Sequence, residues 1–321
     1  MRIAVAGSIA TDHLFTFEGR FADSLLTSQL SNVSLSFLAS DLQVRRGGTG
    51  ANIAFGMGML GARPLLVGAV GKDAADYLTW LQEHGVDTTH VHVSPDKASA
   101  RFTCTTDQDH AQLATFYPGA MSEAAQIDIG SLGEIDLVVV APDDPGAMLR
   151  HSASCRERGV AFAADPSQQL SFLAGEAIQA LVEGATYLFS NAYESALIHD
   201  KTGWSADDVL GLVGTRLTTH GPDGIAISRK GEDEIRVDVA PARRLTDPTG
   251  VGDAFRAGFL TATGWGLPLE RAAQVGALLA THVVETVGPQ DYTFTPAGFR
   301  DRFVEAYGGD AAGEVEPFLL T

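Results

Sequence analysis

Short apolar runs alternate with longer helical patterns along most of the 321 residues, and no other property of the chain restricts its fold so strongly. The pattern predicts strands near Ile3–Ala6, Leu65–Ala69, Leu137–Ala141, Val160–Ala164, Tyr187–Phe189, Arg216–Thr219 and Ile225–Ser228. Between them it predicts helices such as Ala51–Leu60, Ala74–His84, Pro145–Arg158, Glu176–Glu183 and Asp207–Val213. After Thr249 the pattern turns helical, with Ala254–Ala262, Leu269–Glu285 and Pro296–Tyr307. Strands joined by helical crossovers imply an α/β fold with a doubly wound, mainly parallel sheet and helices on both faces. Ligands in such folds sit beyond the carboxyl ends of the strands.

Two stretches break the rhythm. In VSLSFLASDLQV the apolar residues Val33, Leu35 and Phe37 alternate with polar ones, and ARFTCTTDQDHAQLATFYPG reads as a hairpin turning near Asp107 to Asp109. Half-buried strands of this kind predict a small antiparallel β lid, built from about 13–45 and 98–118, standing off a single domain that spans 1–321. No repeat, low-complexity tract or Pro-rich linker suggests a second independent domain.

Charge excludes whole classes of partner. With 22 basic against 40 acidic residues the formal charge is −18, the wrong sign for binding a phosphate backbone, so no nucleic-acid partner is expected. No segment reaches the roughly 18 unbroken apolar residues of a membrane helix, which predicts no membrane association. Two cysteines, Cys104 and Cys155, make neither a disulfide framework nor a metal spacing, and with a strand-like N-terminus they predict a cytoplasmic protein. An anionic ligand must then be held by local backbone N–H groups, a few cations and Mg²⁺ against the field of the whole chain.

The run DPTGVGDAFRAGF offers such a place. Gly250 and Gly252 leave the backbone bare before a helix, where N–H groups converge on an anion and the helix dipole adds partial positive charge. Asp253 follows at once, and a carboxylate beside a phosphate has one common use, taking the proton of an attacking hydroxyl. Ordinary turn and capping chemistry uses the same residue types. In RRGGTGAN, Gly47, Gly48 and Gly50 precede a helix whose first turn carries Asn52, an arrangement for a sugar hydroxyl or for a plain strand-to-helix loop. Asp12, just past the first strand, can accept from two vicinal hydroxyls or cap a turn.

Asn191 and Glu194 in NAYE open a helix, where Glu194 can serve Mg²⁺ or close a capping box with residue 191. THGPDG, Thr219 to Gly224, joins two strands through a loop that fits a nucleotide or a simple turn. GAVGKD lacks the spacing of a P-loop, Gly7 stands alone after the first strand where a dinucleotide fingerprint needs more glycines, and there is no Gly-x-Ser-x-Gly elbow.

Taken in order, RGGTGAN, NAYE, THGPDG and DPTGVGDAF resemble the motifs of the ribokinase-like, PfkB-type family of carbohydrate and nucleoside kinases, over nearly the whole chain. The resemblance implies the ribokinase-like fold, with Asp253 as base and Gly250 and Gly252 shaping an anion hole. It implies ATP contacts from Asn191, Thr219, Gly221, Gly224, Gly250, Val251 and Gly252, and Mg²⁺ held by Glu194 through water. Pro248, Val251 and His220 depart from the family's more usual residues without removing a catalytic group.

Within the family, VSLSF, RFTCTTD, ATFYPGAMSEA and DPSQQL are most similar to the adenosine kinases of actinobacteria. That likeness implies phosphorylation of the 5'-hydroxyl of adenosine by ATP, with the ribose on Ser8, Asp12, Gly48 and Asn52. Phe102 and Phe116 would sandwich the purine, and Ser36, Gln168 or Gln169 would read its edge. It also implies a homodimer through the lid and a monovalent cation, K⁺, near Asp247 and Thr249. A ribokinase-like sugar kinase and a nonenzymatic nucleoside sensor on the same scaffold are the alternatives.

Overall fold

A computed structural model describes residues 1–24 and 36–319, and within them two sheets account for every strand. The large sheet holds nine strands: β1 (Ile3–Ala6), β4 (Leu65–Gly71), β5 (Asp87–Ser94), β8 (Leu137–Val140), β9 (Ala161–Ala164), β10 (Tyr187–Asn191), β11 (Thr215–Thr219), β12 (Ile225–Ser228) and β13 (Ile235–Val237), in the order β13-β12-β11-β10-β9-β8-β1-β4-β5. All neighbours pair in parallel except β11 with β12 and β12 with β13.

The reason for burial on both faces is plain in β1, whose residues are all buried. Ile3 and Val5 enter one apolar cluster with the helices Thr49–Met59, Val251–Gly264 and Leu269–Val284, while Ala4 and Ala6 enter another with Pro145–Arg158 and Gly175–Val182. Alternation sends successive side chains to opposite faces, so a continuous apolar run is what a doubly covered strand requires.

The small sheet has four strands, β3 (Asp41–Gly47), β2 (Ala10–Thr16), β6 (Ala100–Thr106) and β7 (Gln112–Tyr117), in that order. Its two antiparallel pairs, β2 with β3 and β6 with β7, are joined by a parallel pairing of β2 with β6. Strand β2 starts four residues after β1 ends, so this sheet rises directly from the carboxyl edge of the large one.

Three strands, β2, β5 and β13, were not among those predicted. Polar Thr11, Asp12 and His13 hide the periodicity of β2, and β13 has only three residues. Asp12 therefore lies inside a strand rather than on a turn or helix cap. Val33 and Leu35 lie outside the described residues, while Ser36 is exposed and without regular structure. Phe37 packs at 4.9 Å from both Phe17 and Phe21.

Candidate active site

Two helices that begin at the carboxyl edge of the large sheet bring the first pair of groups together. Helix Thr49–Met59 lies against helix Val251–Gly264 where Gly56 faces Ala257; a Cβ on Gly56 would stand 2.7 Å from that of Ala257. One turn earlier on each helix, Asn52 Nδ2 donates to Asp253 Oδ2 at 2.8 Å. The carboxyl of Asp253 keeps some exposure, yet the protein around it pushes its pKa up to about 7. Burial is the main cause, Asp165 and Glu194 add to it, and Arg256 and the Asn52 hydrogen bond oppose it.

The helix carrying Asp253 starts without a side-chain cap, so the positive end of its dipole and its first N–H groups face the cleft. Gly250 holds φ 78°, and a Cβ there would come 2.4 Å from Pro289 Cβ, which restricts the position to glycine. A Cβ on Gly252 would meet the Arg256 guanidinium at 2.7 Å. That guanidinium is buried, bound to Asp165 at 2.6 Å and to Ser167 Oγ at 3.0 Å, with its carbon 5.6 Å from the Phe189 ring centre. Burial alone would lower the Arg256 pKa; Asp165, Asp253 and Glu194 outweigh it and raise it.

On the lid side, the loop before Asn52 is drawn close to the first strand. Ser8 Oγ accepts from Thr49 N at 3.0 Å, and Gly48, at φ 91°, has Ser8 O and Ala10 N each 2.6 Å from where a Cβ would be. Register then aligns four residues across the small sheet: Arg45 pairs with Asp12, Asp12 with Phe102, and Phe102 with Phe116. Directly paired residues share a face, so these four form one row at about 5 Å per strand. Phe116 is 49% exposed, which leaves the aromatic end of the row open.

Burial raises the Asp12 pKa to about 6, against the pull of Arg45. Gln169 donates from Nε2 to Asp143 O at 2.9 Å, whereas Gln168 and Ser36 are exposed and have no hydrogen bond or ion pair here that places them in the row.

Across the cleft, Asn191 and Thr219 are register partners at the ends of β10 and β11. Gly221 and Gly224 have φ 59° and 88°, and His220 N donates to Gly224 O at 2.8 Å to close the loop. Asn191 and Glu194 do form the capping box: each backbone N–H donates to the other's side chain at 2.8 Å. Burial raises the Glu194 pKa. Asp165, Glu194 and Asp253 thus act on Arg256, which buried Asp165 already neutralises, and among the described residues no three acidic, His or Cys groups are gathered to hold a metal ion. A hydrated Mg²⁺ that keeps its waters fits the single carboxylate that Glu194 supplies at the edge of the cleft.

Asp247 presents a different case. Its carboxylate accepts from Arg45 Nη1 at 3.1 Å, Gly288 N at 3.1 Å and Thr249 N at 2.9 Å. Burial would raise its pKa, but those bonds and the Arg45 charge hold it below the usual carboxylate value. An arginine already neutralises this carboxylate, so the residues present do not fit a monovalent cation there.

Sequence reading missed Arg45, Tyr77, Asp165, Arg256 and Gln290, all of which touch this cluster. Arg256 had a signal, three residues beyond Asp253 on one helix. Tyr77 and Gln290 had none, because their contacts span 213 residues.

A carboxyl whose pKa is raised to about 7 beside an uncapped helix start, with the glycine loop before Asn52 on one side and the loop Thr219 to Gly224 on the other, is an arrangement that phosphoryl transfer can use. The chain belongs to the pfkB family of carbohydrate kinases, whose model matches residues 19–296. The nucleoside kinase of Methanocaldococcus jannaschii is 28% identical over 90% of this chain and 92% of its own length. That of Methanothermobacter thermautotrophicus is 31% identical over 76% and 80%. The nucleoside kinase of Burkholderia thailandensis in complex with inosine superposes with a TM-score of 0.84, at 35% identity, covering 96% of this chain and 98% of that one. The same enzyme has been solved in complex with ADP-inosine, at a TM-score of 0.83, 35% identity and 96% coverage of both chains. The fold is ribokinase-like, and the chain is a nucleoside or sugar kinase of an ATP-dependent family. None of its described helices is long and apolar enough to cross a membrane.

Proposed function

We propose that this kinase is an adenosine kinase, transferring the γ-phosphoryl group of ATP to the 5'-hydroxyl of adenosine to give AMP and ADP. The row Arg45–Asp12–Phe102–Phe116 carries the reading. It offers an acceptor for ribose hydroxyls one strand away from a first aromatic ring and two from a second, the order of groups in a nucleoside. Ser8, Gly48 and Asn52 complete the ribose side. Gln169 commits one of its two amide N–H groups to Asp143 O and retains its carbonyl as an acceptor for the amino edge of adenine. Ser36 and Gln168 reach the base only if the lid closes over it.

In this mechanism the nucleoside binds on the row, lid closure expels water, and the 5'-hydroxyl is aligned with the γ-phosphorus. Asp253 orients the hydroxyl and takes its proton late, since an alcohol is far less acidic than a carboxylic acid. The backbone of Gly250, Val251 and Gly252 receives the transferring group at the helix start. Asn191, Thr219, Gly221 and Gly224 line the ATP side. Mg²⁺ bound with ATP supplies charge neutralisation, and Glu194 would hold it through water.

The opposite face of the lid supports a homodimer. Leu42 and Val44 on β3 and Leu113 and Tyr117 on β7 lie on it with 48 to 57% exposure, apolar groups on the two outer strands of the sheet whose cover is proposed to be a second copy's lid. Two unpaired, buried cysteines agree with the reducing cytoplasm, where the reaction would return free adenosine to the nucleotide pool as purine salvage.

Phe102→Ala tests the acceptor assignment. Stacking on an aromatic ring is worth about 1–3 kcal/mol per base, so the KM for adenosine rises about tenfold or more while that for ribose stays within about twofold. Equal losses for both acceptors would point to a sugar site with Phe102 as mere packing.

A further inference from the structure

Behind Asp253 runs a chain of buried polar groups that the phosphotransfer reading leaves unused. The Tyr77 hydroxyl donates to Gly47 O at 2.8 Å, and Gln290 Nε2 lies 2.6 Å from the Tyr77 oxygen and 2.9 Å from Asn52 Oδ1. Asn52 Nδ2 in turn donates to Asp253 Oδ2 at 2.8 Å. Tyr77, Asn52 and Gln290 are 6%, 8% and 3% exposed. They come from the helix after β4, the helix after β3 and the loop after helix Leu269–Val284, so no local turn accounts for their meeting.

The direction of every bond follows from its ends. Gly47 O only accepts, so Tyr77 spends its single proton there and offers its oxygen to the Gln290 amide. That amide has two N–H groups, one for Tyr77 and one for Asn52 Oδ1. Asn52 is thereby held with its own NH₂ toward Asp253, where an ionised carboxylate is the matching acceptor.

The reverse order fails at its far end. A protonated Asp253 donating to Asn52 Oδ1 turns both amides over and draws the Tyr77 proton to Gln290, leaving Gly47 O without its donor. A protonated Asp253 keeps a carbonyl oxygen that can accept from this fixed amide, but a carboxylate accepts more strongly, so the Asn52 NH₂ held toward it favours the ionised form, while Gln290 Oε1 is left buried without a partner.

We infer that Tyr77 and Gln290 are positioning residues that, anchored on the Gly47 carbonyl, lock the Asn52 amide onto Asp253 and hold the base ionised for phosphoryl transfer. The inference rests on the kinase reading and on Asp253 as its base. It also ties the base to the glycine loop proposed to receive the ribose, since Gly47 adjoins Gly48.

The other groups acting on Asp253 come from every side. Arg256 on its own helix favours the ionised form; Asp165 after β9 and Glu194 after β10 oppose it. The phenols of Tyr77 and Tyr292 stay neutral, since burial drives their pKa values far up. A base must be ionised, so kcat/KM for the acceptor falls as pH drops through the raised Asp253 pKa of about 7.

The test measures kcat/KM against pH in the wild type, Tyr77→Phe and Gln290→Met, with thermal melting to show that each folds. Both variants free the Asn52 amide, so the acid limb moves up by about one unit: the rate near pH 6 falls about tenfold while the alkaline plateau stays within about twofold. Tyr77→Phe removes only a hydroxyl and keeps the test valid if Gln290→Met melts early. Rates lowered equally at every pH, with the limb in place, overturn the inference and leave the kinase reading standing. A wild type that phosphorylates no nucleoside or sugar overturns both.

Discussion

Asp253→Asn lowers kcat by about 10²- to 10⁴-fold, the usual contribution of a general base, and leaves the adenosine KM within about twofold. The substitution keeps the side-chain volume and an oxygen for the Asn52 amide, so the pocket keeps its shape. What disappears is the carboxylate proposed to take the 5'-hydroxyl proton. The same variant melts above the wild type at about pH 8. The wild-type carboxyl has its pKa raised from 3.8 to about 7, so below about 4 it is neutral in both folded and unfolded chains. As pH rises through that window the unfolded chain ionises first, and stability is lost until the folded pKa is passed. An amide escapes this loss. Near-normal turnover would remove Asp253 from the chemistry, and an unchanged melting temperature would contradict its strained environment.

Arg256→Met is expected to destabilise the fold by about 3–5 kcal/mol, the penalty for leaving one member of a buried ion pair alone. Asp165 is 0% exposed and has Arg256 and Ser167 as its side-chain partners, so removal of the guanidinium strands its charge. A typical domain has only about 5–15 kcal/mol in total, so the variant sits near the unfolding threshold. Urea titration of Arg256→Met, Asp165→Ala and the double variant separates the causes. The double variant should be more stable than Arg256→Met alone, because no orphaned charge remains. A loss below about 1 kcal/mol for Arg256→Met would mean that the pair is solvated in a way its burial denies.

The sequence disclosed those parts of the molecule that depend on local pattern. Strands β1 and β8 are continuous apolar runs, legible because a strand buried on both faces can tolerate little else. Gly250 and Gly252 beside Asp253 were legible because bare backbone at a helix start has few uses. Strand β2 was not, since Asp12 lies on the face of the row while Thr11 and His13 lie on the opposite face, so polar residues on both sides erase the alternation of a half-buried strand.

Asn191 and Glu194 illustrate a different limit. Sequence offered a capping box and a metal ligand as rivals, yet the cap is made while a carboxylate remains at the edge of the cleft. The row from Arg45 to Phe116 needed strand register, which adjacent residue types do not encode. Gln290 meets Asn52 across 238 residues, a pairing that only the folded chain reveals.

The most direct test of the account is a comparison of acceptors with ATP and Mg²⁺, following ADP release for adenosine, guanosine, inosine and ribose and identifying the phosphorylated product. The account predicts the highest kcat/KM for adenosine, with AMP as product and the new phosphate on the 5'-oxygen. Preference for ribose over every nucleoside, or ADP release that no acceptor stimulates, would contradict it.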